Sequence, residues 1–325
     1  MIYRTTKQIP EKLSVIGFGC WSTAAYNWSD ASTVDSVRAI ETAIDCGINY
    51  FDVAPVYGYG ESEVLLGKAI HGKRSQVFIG TKCGLRWSEK DGPTKNDLSR
   101  KSIFEEVELS LKRLDIECID LYQMHWPDAN ISIDESMDAL NRLVEQGKIR
   151  YIGASNFSVA ECRQAAKTAP IASHQGLYNL FDRNSESYCG IPLEYKSEDE
   201  VIPYCKEQGM AFIPYSPLCQ GVLSGRFFKG RDKQLKATDM RLSNPEIVGE
   251  ALDHKLVIVE KLQALANETG YTLLEISLGW LIANPVVTSI IVGSRTPAYS
   301  ISSAAAGDVV LSKEILTRID DIFAK

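Results

Sequence analysis

Four side chains in this 325-residue sequence have the types and order that proton transfer requires. Asp52 and Tyr57 flank the segment VAPV, Lys82 ends the apolar run VFIGTK, and His125 stands in QMHWPD. A tyrosine titrates near about 10, too high for an efficient donor at neutral pH, and an adjacent ammonium would lower that value by stabilising the phenolate. Lys82 would supply the ammonium. Asp52 emerges from the apolar run YFDV and is costly to bury without a cation, so it would hold Lys82 in place and keep it protonated. His125 would orient a substrate oxygen through its imidazole edge. Together the four would polarise a carbonyl group. Singly each has a plainer reading: a structural ion pair, a loop aromatic covering core, a hydrogen-bonded histidine at a strand end. The combination points to chemistry.

Such a set must be carried by elements that converge. A short hairpin is expected over residues 1–15, and strands over 15–20, 50–53, 77–81, 120–124, 149–153, 173–177, 211–214 and 289–292. Helices alternate with them. The first is expected over 33–46, with Val34, Val37, Ile40 and Ile44 on its apolar face and Gly47 as its stop. Others are expected over 62–69, 135–146, 158–166, 198–208, 255–266, 273–283 and 311–324, and one more opens with a capping-box pattern of Ser102 and Glu105. The stretch 218–251 is polar with little periodicity, which suggests a functional or mobile loop. Eight strands, each feeding a helix, predict a single α/β domain over 1–325: a (β/α)8 TIM barrel with an N-terminal β-hairpin. In such a barrel the chemistry belongs at the strands' C-terminal ends. The conspicuous polar residues fall there: Asp52, Tyr57, Lys82, His125, Ser155, Asn156, Gln175, Tyr215, Ser216 and the turn from Gly293 to Arg295.

The totals exclude several alternatives. Apolar content of 45% and charged content of 24% describe a globular chain with ample core. A net charge of -7, with basic residues scattered, argues against a nucleic-acid partner. The eight cysteines form no CxxC pair and no cluster with the four histidines, so neither a metal site nor a disulfide framework is signalled. No apolar run reaches membrane-spanning length and no leader pattern opens the chain, which makes the cytoplasm the default expectation. Neither GFGCWS nor GYGESE fits the dinucleotide-binding glycine pattern, and Gly67-Lys68-Ala69 lacks the phosphate-loop spacing.

Long stretches then carry a resemblance: FDVAPVYGYGESEVLLGKAI, IGTK, RLDIECIDLYQMHWPD, GKIRYIGASNF and PYSPLCQGVLSG. In these the chain resembles the aldo-keto reductase superfamily from its hairpin to its last helix. The resemblance implies NADPH-dependent reduction of small-molecule aldehydes or ketones, with a catalytic tetrad on Asp52, Tyr57, Lys82 and His125. It also implies a nicotinamide carboxamide held by Ser155, Asn156 and Gln175, and a nicotinamide ring stacked on Tyr215. Ser216, Leu218 and Gly221 match the pyrophosphate loop. Gly293, Ser294 and Arg295 match the 2′-phosphate site, where a guanidinium offers a bidentate fork. Beyond it, Tyr299, Ser302 and Ser303 depart from the family's usual residues around adenine. Trp21, Tyr26, Trp87 and Trp126 are expected to line an open substrate pocket. Two other functions stay open: a lyase or aldolase using Lys82 as a Schiff-base nucleophile, and a non-catalytic NADPH-binding subunit of a larger assembly.

Overall fold

Eight short apolar runs become strands in the computed structural model, which describes residues 1–28, 32–90 and 92–324. The strands are β1 (Ile16–Gly19), β2 (Tyr50–Asp52), β3 (Phe78–Cys83), β4 (Ile119–Met124), β5 (Ile149–Ser155), β6 (Ser173–Leu177), β7 (Ala211–Tyr215) and β8 (Ile290–Gly293). All neighbours are parallel, in the order β7-β6-β5-β4-β3-β2-β1-β8. The ring closes between β7 and β8 through a Phe212–Val287 bridge and the Thr288 N–H donating to Phe212 O at 2.8 Å. This is the (β/α)8 barrel expected from the alternation. A two-residue antiparallel ladder, Tyr3–Arg4 with Leu13–Ser14, precedes it.

The barrel interior is filled from the hairpin side. Ile9 and Leu13 pack there with Tyr50, Phe78, Leu121, Ala211, Ile213 and Ile291. Tyr50 occupies space left by two glycines: a Cβ on Gly17 would lie 2.6 Å from its Cδ1, and one on Gly80 would lie 2.7 Å from its hydroxyl. That hydroxyl donates to Asp52 Oδ1 at 3.4 Å, so the packed interior supports the residue above it.

The helices are α1 (Thr33–Asp45), α2 (Glu61–Ala69), α3 (Arg100–Leu114), α4 (Ile133–Glu145), α5 (Val159–Ala165), α6 (Ile202–Gln208), α7 (Gly249–Thr269), α8 (Leu273–Ala283), α9 (Pro297–Ala306) and α10 (Lys313–Phe323). Several details differ from the sequence expectations. α1 turns Ala39, Ile40, Ala43 and Ile44 inward and leaves Val34 62% exposed, because its buried stripe is built on alanines. α3 is capped by Ser99, not by a Ser102–Glu105 box; Ser102 lies inside the helix and its hydroxyl donates to Glu106. α4 starts earlier, on the Ser132 cap, and buries Leu143 rather than Val144. α7 is longer than its periodic part, and α9, built on alanine and serine, gives no strong apolar spacing to find.

The polar stretch after β7 is an ordered chain of 3₁₀ turns, Cys219–Ser224, Asp232–Gln234, Met240–Ser243 and Pro245–Ile247. A buried ion pair, Arg241 Nη2 to Asp239 Oδ2 at 2.7 Å, stiffens it. The Met240 N–H donates to Asn27 O at 2.9 Å and ties this stretch to the loop after β1. For the interior, Gly80→Ala should force Tyr50 aside and lower the unfolding free energy by about 1–3 kcal/mol, seen as a lower urea midpoint. An unchanged midpoint would show that the ring has room to move.

Candidate active site

Asp52 and Lys82 end on adjacent parallel strands and both face the barrel interior, with 2% and 0% exposure. Lys82 Nζ donates to Asp52 Oδ2 at 2.8 Å, to Val53 O at 3.0 Å and to Tyr57 Oη at 3.3 Å. That is one acceptor for each proton of an ammonium. Asp52 is held in turn, its Oδ1 accepting from Gln175 Nε2 at 2.7 Å and from Tyr50. Tyr57 reaches this pair because the loop after β2 turns back on Gly58 and Gly60, both at positive φ, before α2 begins. His125 presents its ring edge-on to Tyr57, with centroids 6.0 Å apart. The structure therefore brings Asp52, Tyr57, Lys82 and His125 into one cluster at the barrel mouth.

The electrostatics differ from the sequence expectation in one respect. The Tyr57 phenol is pushed well above the usual tyrosine value, by burial first and then by the charge of Asp52 and by Cys20. The expected lowering by Lys82 is outweighed. A single ammonium whose charge already answers Asp52 does not offset the desolvation of a phenolate. Burial, followed by the Lys82 charge, pushes His125 well below the usual histidine value, so its imidazole is neutral at physiological pH. The cluster thus offers two neutral donors, phenol and imidazole.

The other expected residues form two groups. Asn156, at φ 62°, donates from Nδ2 to His125 O at 3.1 Å and Ser155 Oγ at 3.2 Å. Its Oδ1 accepts from Tyr215 Oη at 2.8 Å and Tyr195 Oη at 3.0 Å, which fixes the plane of the Tyr215 ring. Gln175 belongs to the acid pair as described. Ser216, at φ 50°, shares a 2.8 Å hydrogen bond with Tyr188, and Leu218 O accepts from Gly221 N–H at 2.9 Å. Cys219, Gln220 and Gly221 follow one another at positive φ, and the Cys219 N–H turns back to Ser216 O at 2.9 Å. The second group lies after β8. Gly293 has open space around its Cβ position, Ser294 Oγ bonds Ser300 Oγ at 2.9 Å, and the Arg295 guanidinium lies 5.7 Å from the Trp28 ring. Tyr299 is covered by Arg226, 3.2 Å from the ring centroid; Ser302 is exposed on α9 and Ser303 is buried.

Rings line the mouth. Trp21 stands 6.3 Å from Tyr57 and 5.2 Å from Trp28, and Tyr59 meets Tyr26 at 5.2 Å and Trp87 at 5.6 Å. Trp126 packs against the main core. Sequence reasoning missed Trp28, Tyr59, Arg226, Tyr188 and Tyr195. Only Tyr59, placed between two glycines, carried a local signal.

Among the described residues no group of three or more His, Cys, Asp or Glu stands where it could hold a metal ion, and no helix is long and apolar enough to cross a membrane. A parallel (β/α)8 barrel with its polar cluster at the C-terminal mouth defines a class of enzyme scaffold. The chain belongs to the Aldo/keto reductase family, whose sequence pattern matches residues 15–324. It is 34% identical over 300 residues to "Aldo-keto reductase YhdN" of Bacillus subtilis (strain 168), covering 91% of this chain and 86% of that one. It is 31% identical to the "Probable voltage-gated potassium channel subunit beta" of Arabidopsis thaliana, over 99% of this chain and 96% of that one. The "NADH-specific methylglyoxal reductase" of Escherichia coli (strain K12) is 31% identical, over 92% and 91% of the two chains. Among solved structures, the glycerol dehydrogenase AKR11B4 from Gluconobacter oxydans superposes with a TM-score of 0.86 at 32% identity, covering 99% of this chain and 95% of that one. Membership makes the chain an oxidoreductase of nicotinamide-dependent carbonyl chemistry acting on small substrates.

Glu106 yields a pH prediction close to the site. It is buried on α3, and its Oε1 accepts from the N–H of Gly84, two residues beyond Lys82, at 3.0 Å. Burial raises its pKa from 4.5 to about 7. A folded value above the unfolded one means that its contribution to stability is complete below the unfolded value and is lost as pH rises through about 7. Wild type should therefore lose stability relative to Glu106→Gln between these two pH values. Denaturation at both tests this, and a constant difference would place Glu106 in water.

Proposed function

We propose that the chain is an NADPH-dependent reductase of small aldehydes and ketones in which Tyr57 gives the proton. The observation that carries this reading is Lys82, fully buried, held by Asp52 and in contact with the Tyr57 phenol beside the neutral imidazole of His125. A bound nicotinamide would supply the hydride. The residues fit such a group: the Ser155 hydroxyl, which accepts from Asn156, keeps its own proton for a carboxamide oxygen, Tyr215 is a ring held by Asn156, and the loop of Ser216, Leu218 and Gly221, with Ser216 and Gly221 at positive φ, suits pyrophosphate. Gly293, Ser294 and Arg295 would receive the 2′-phosphate, with Arg226 and Tyr299 beside the adenine. Gln175 steadies Asp52 at the edge of the carboxamide site.

The substrate oxygen would accept hydrogen bonds from Tyr57 Oη and His125, which concentrates its charge where the proton arrives. The high phenol pKa keeps Tyr57 protonated but makes it a weaker acid, so the transfer relies on the alkoxide that hydride addition would leave on the substrate, a stronger base than the phenolate. Schiff-base chemistry on Lys82 is disfavoured, because the amine is fully buried and engaged by three acceptors. Similarity to the Arabidopsis channel subunit supports a second reading, a barrel whose bound cofactor reports redox state within a larger assembly. Turnover separates the two. We take the chain as a single domain working in the cytoplasm.

Tyr57→Phe should leave NADPH binding intact and lower the rate of aldehyde-dependent NADPH oxidation by about 10²- to 10⁴-fold. A variant that kept most of the activity would remove Tyr57 from the role of acid. Cofactor choice is tested at Arg295. Charge-assisted contact with a 2′-phosphate is worth about 1.5–3 kcal/mol, so Arg295→Ala should weaken NADPH by roughly ten- to a hundredfold, less in high salt, and leave NADH nearly unchanged. Equal weakening of both cofactors in titration would place Arg295 outside the phosphate site and favour the cofactor use named for the Escherichia coli relative.

A further inference from the structure

We infer that Glu63 is a positioning residue for this reaction, acting with Thr81 and Arg113 to set the distance between Tyr57 and Lys82. The inference rests on the carbonyl-reductase reading. Glu63 lies in the first turn of α2 and is fully buried. One of its oxygens accepts from Thr81 Oγ1 at 2.7 Å, and Thr81 is the residue before Lys82. The other accepts from Arg113 Nε at 2.6 Å, in the last turn of α3. One carboxylate thus joins the outer face of β3 to two helices.

The same turn of α2 grips the loop that carries Tyr57. The Ser62 N–H donates to Tyr57 O at 3.3 Å and the Glu61 N–H to Gly58 O at 3.2 Å. Thr23 Oγ1 donates to Ser62 Oγ at 3.1 Å, bringing in the segment after β1. Arg113 also closes over this loop: a Cβ on Gly60, which sits at φ +93°, would lie 2.7 Å from Arg113 Cδ. Tyr57 is therefore fixed to α2 through backbone, and α2 is fixed to Lys82 through one carboxylate and one hydroxyl.

Alternate residues of a strand face opposite sides, so Thr81 points into the helix layer while Lys82 points into the barrel. A bond that holds Thr81 outside fixes Lys82 inside across a single peptide. Apolar residues could fill this layer at no loss of stability, and often at a gain. What a directional bond adds is a defined position. The Lys82–Tyr57 contact, at 3.3 Å, is the longest of the three that Lys82 makes, and it is the one that spans the two elements this network joins.

Thr81→Val keeps the branched shape and removes only the hydroxyl, and Thr81→Ser returns it. Thr81→Val should lower kcat for a small aldehyde by about tenfold with the dissociation constant for NADPH unchanged, and Thr81→Ser should restore it. The ascending, acid-side limb of the pH profile for alcohol oxidation should move to higher pH in Thr81→Val, because a displaced ammonium stabilises the phenolate less. The ¹⁵N resonance of the buried Lys82 ammonium gives a readout independent of turnover: it should shift in Thr81→Val and return in Thr81→Ser. Wild-type kcat, pH profile and ammonium resonance in Thr81→Val, with only a lower melting temperature, would reduce Glu63 to a structural role. Failure of the reductase reading looks different, since wild type would then oxidise no NADPH whichever aldehyde is added, and the ammonium resonance would still decide the placement of Lys82.

Discussion

A lysine with no solvent exposure is the constraint on which the rest of the barrel mouth depends. An ammonium in that position is tolerable only if each proton meets an acceptor and a carboxylate answers its charge, and removing one partner of such a pair costs about 3–5 kcal/mol. Asp52 meets that condition from the neighbouring strand, and it in turn draws Gln175 and Tyr50 toward it. Tyr50 then needs space in the barrel centre, which Gly17 and Gly80 leave. The site is therefore continuous with the core beneath it. Substitutions in the interior should reach the mouth through Tyr50.

Charge placement gives the mouth its chemical character. Lys82 and Asp52 cancel one another, so the groups left facing the opening are a neutral phenol and a neutral imidazole, both held uncharged by burial. Donors of this kind bind a carbonyl oxygen without competing strongly for free anions. The surrounding rings, Trp21, Trp28, Tyr26, Tyr59 and Trp87, pack against one another and offer flat apolar faces.

Much of this was legible in the sequence because barrel strands and their polar ends are short-range signals. The eight strands, the hairpin and the meeting of Asp52, Tyr57, Lys82 and His125 follow from runs of a few residues and from the rule that active groups gather at strand ends. What escaped notice depends on contacts across long separations. Nothing near Arg226 announces that it will cover Tyr299, and nothing near Asn156 announces hydrogen bonds from Tyr195 and Tyr215. Gln175 was legible as a strand-end amide, but its bond to Asp52 needed the closed ring. The direction of the Tyr57 shift failed for a related reason. Sequence reveals which charges are adjacent, whereas the amount of water removed around a phenol is a property of the assembled mouth.

The seam of the barrel has a consequence for how the chain is made. β1 pairs with β8, and Arg4 caps the region before β8 through the carbonyls of Ile282, Asn284 and Val287, while the Ile2 N–H reaches Gly307 O. Residues that leave the ribosome early therefore wait for partners some 280 positions later. During that interval one edge of β1 is an open template for foreign strands. Growth of the sheet from the β2 side can cover its other edge, but not this one. The brevity of β1, only four residues, limits how much edge is offered to a chaperone or to an aggregating chain while synthesis runs to completion.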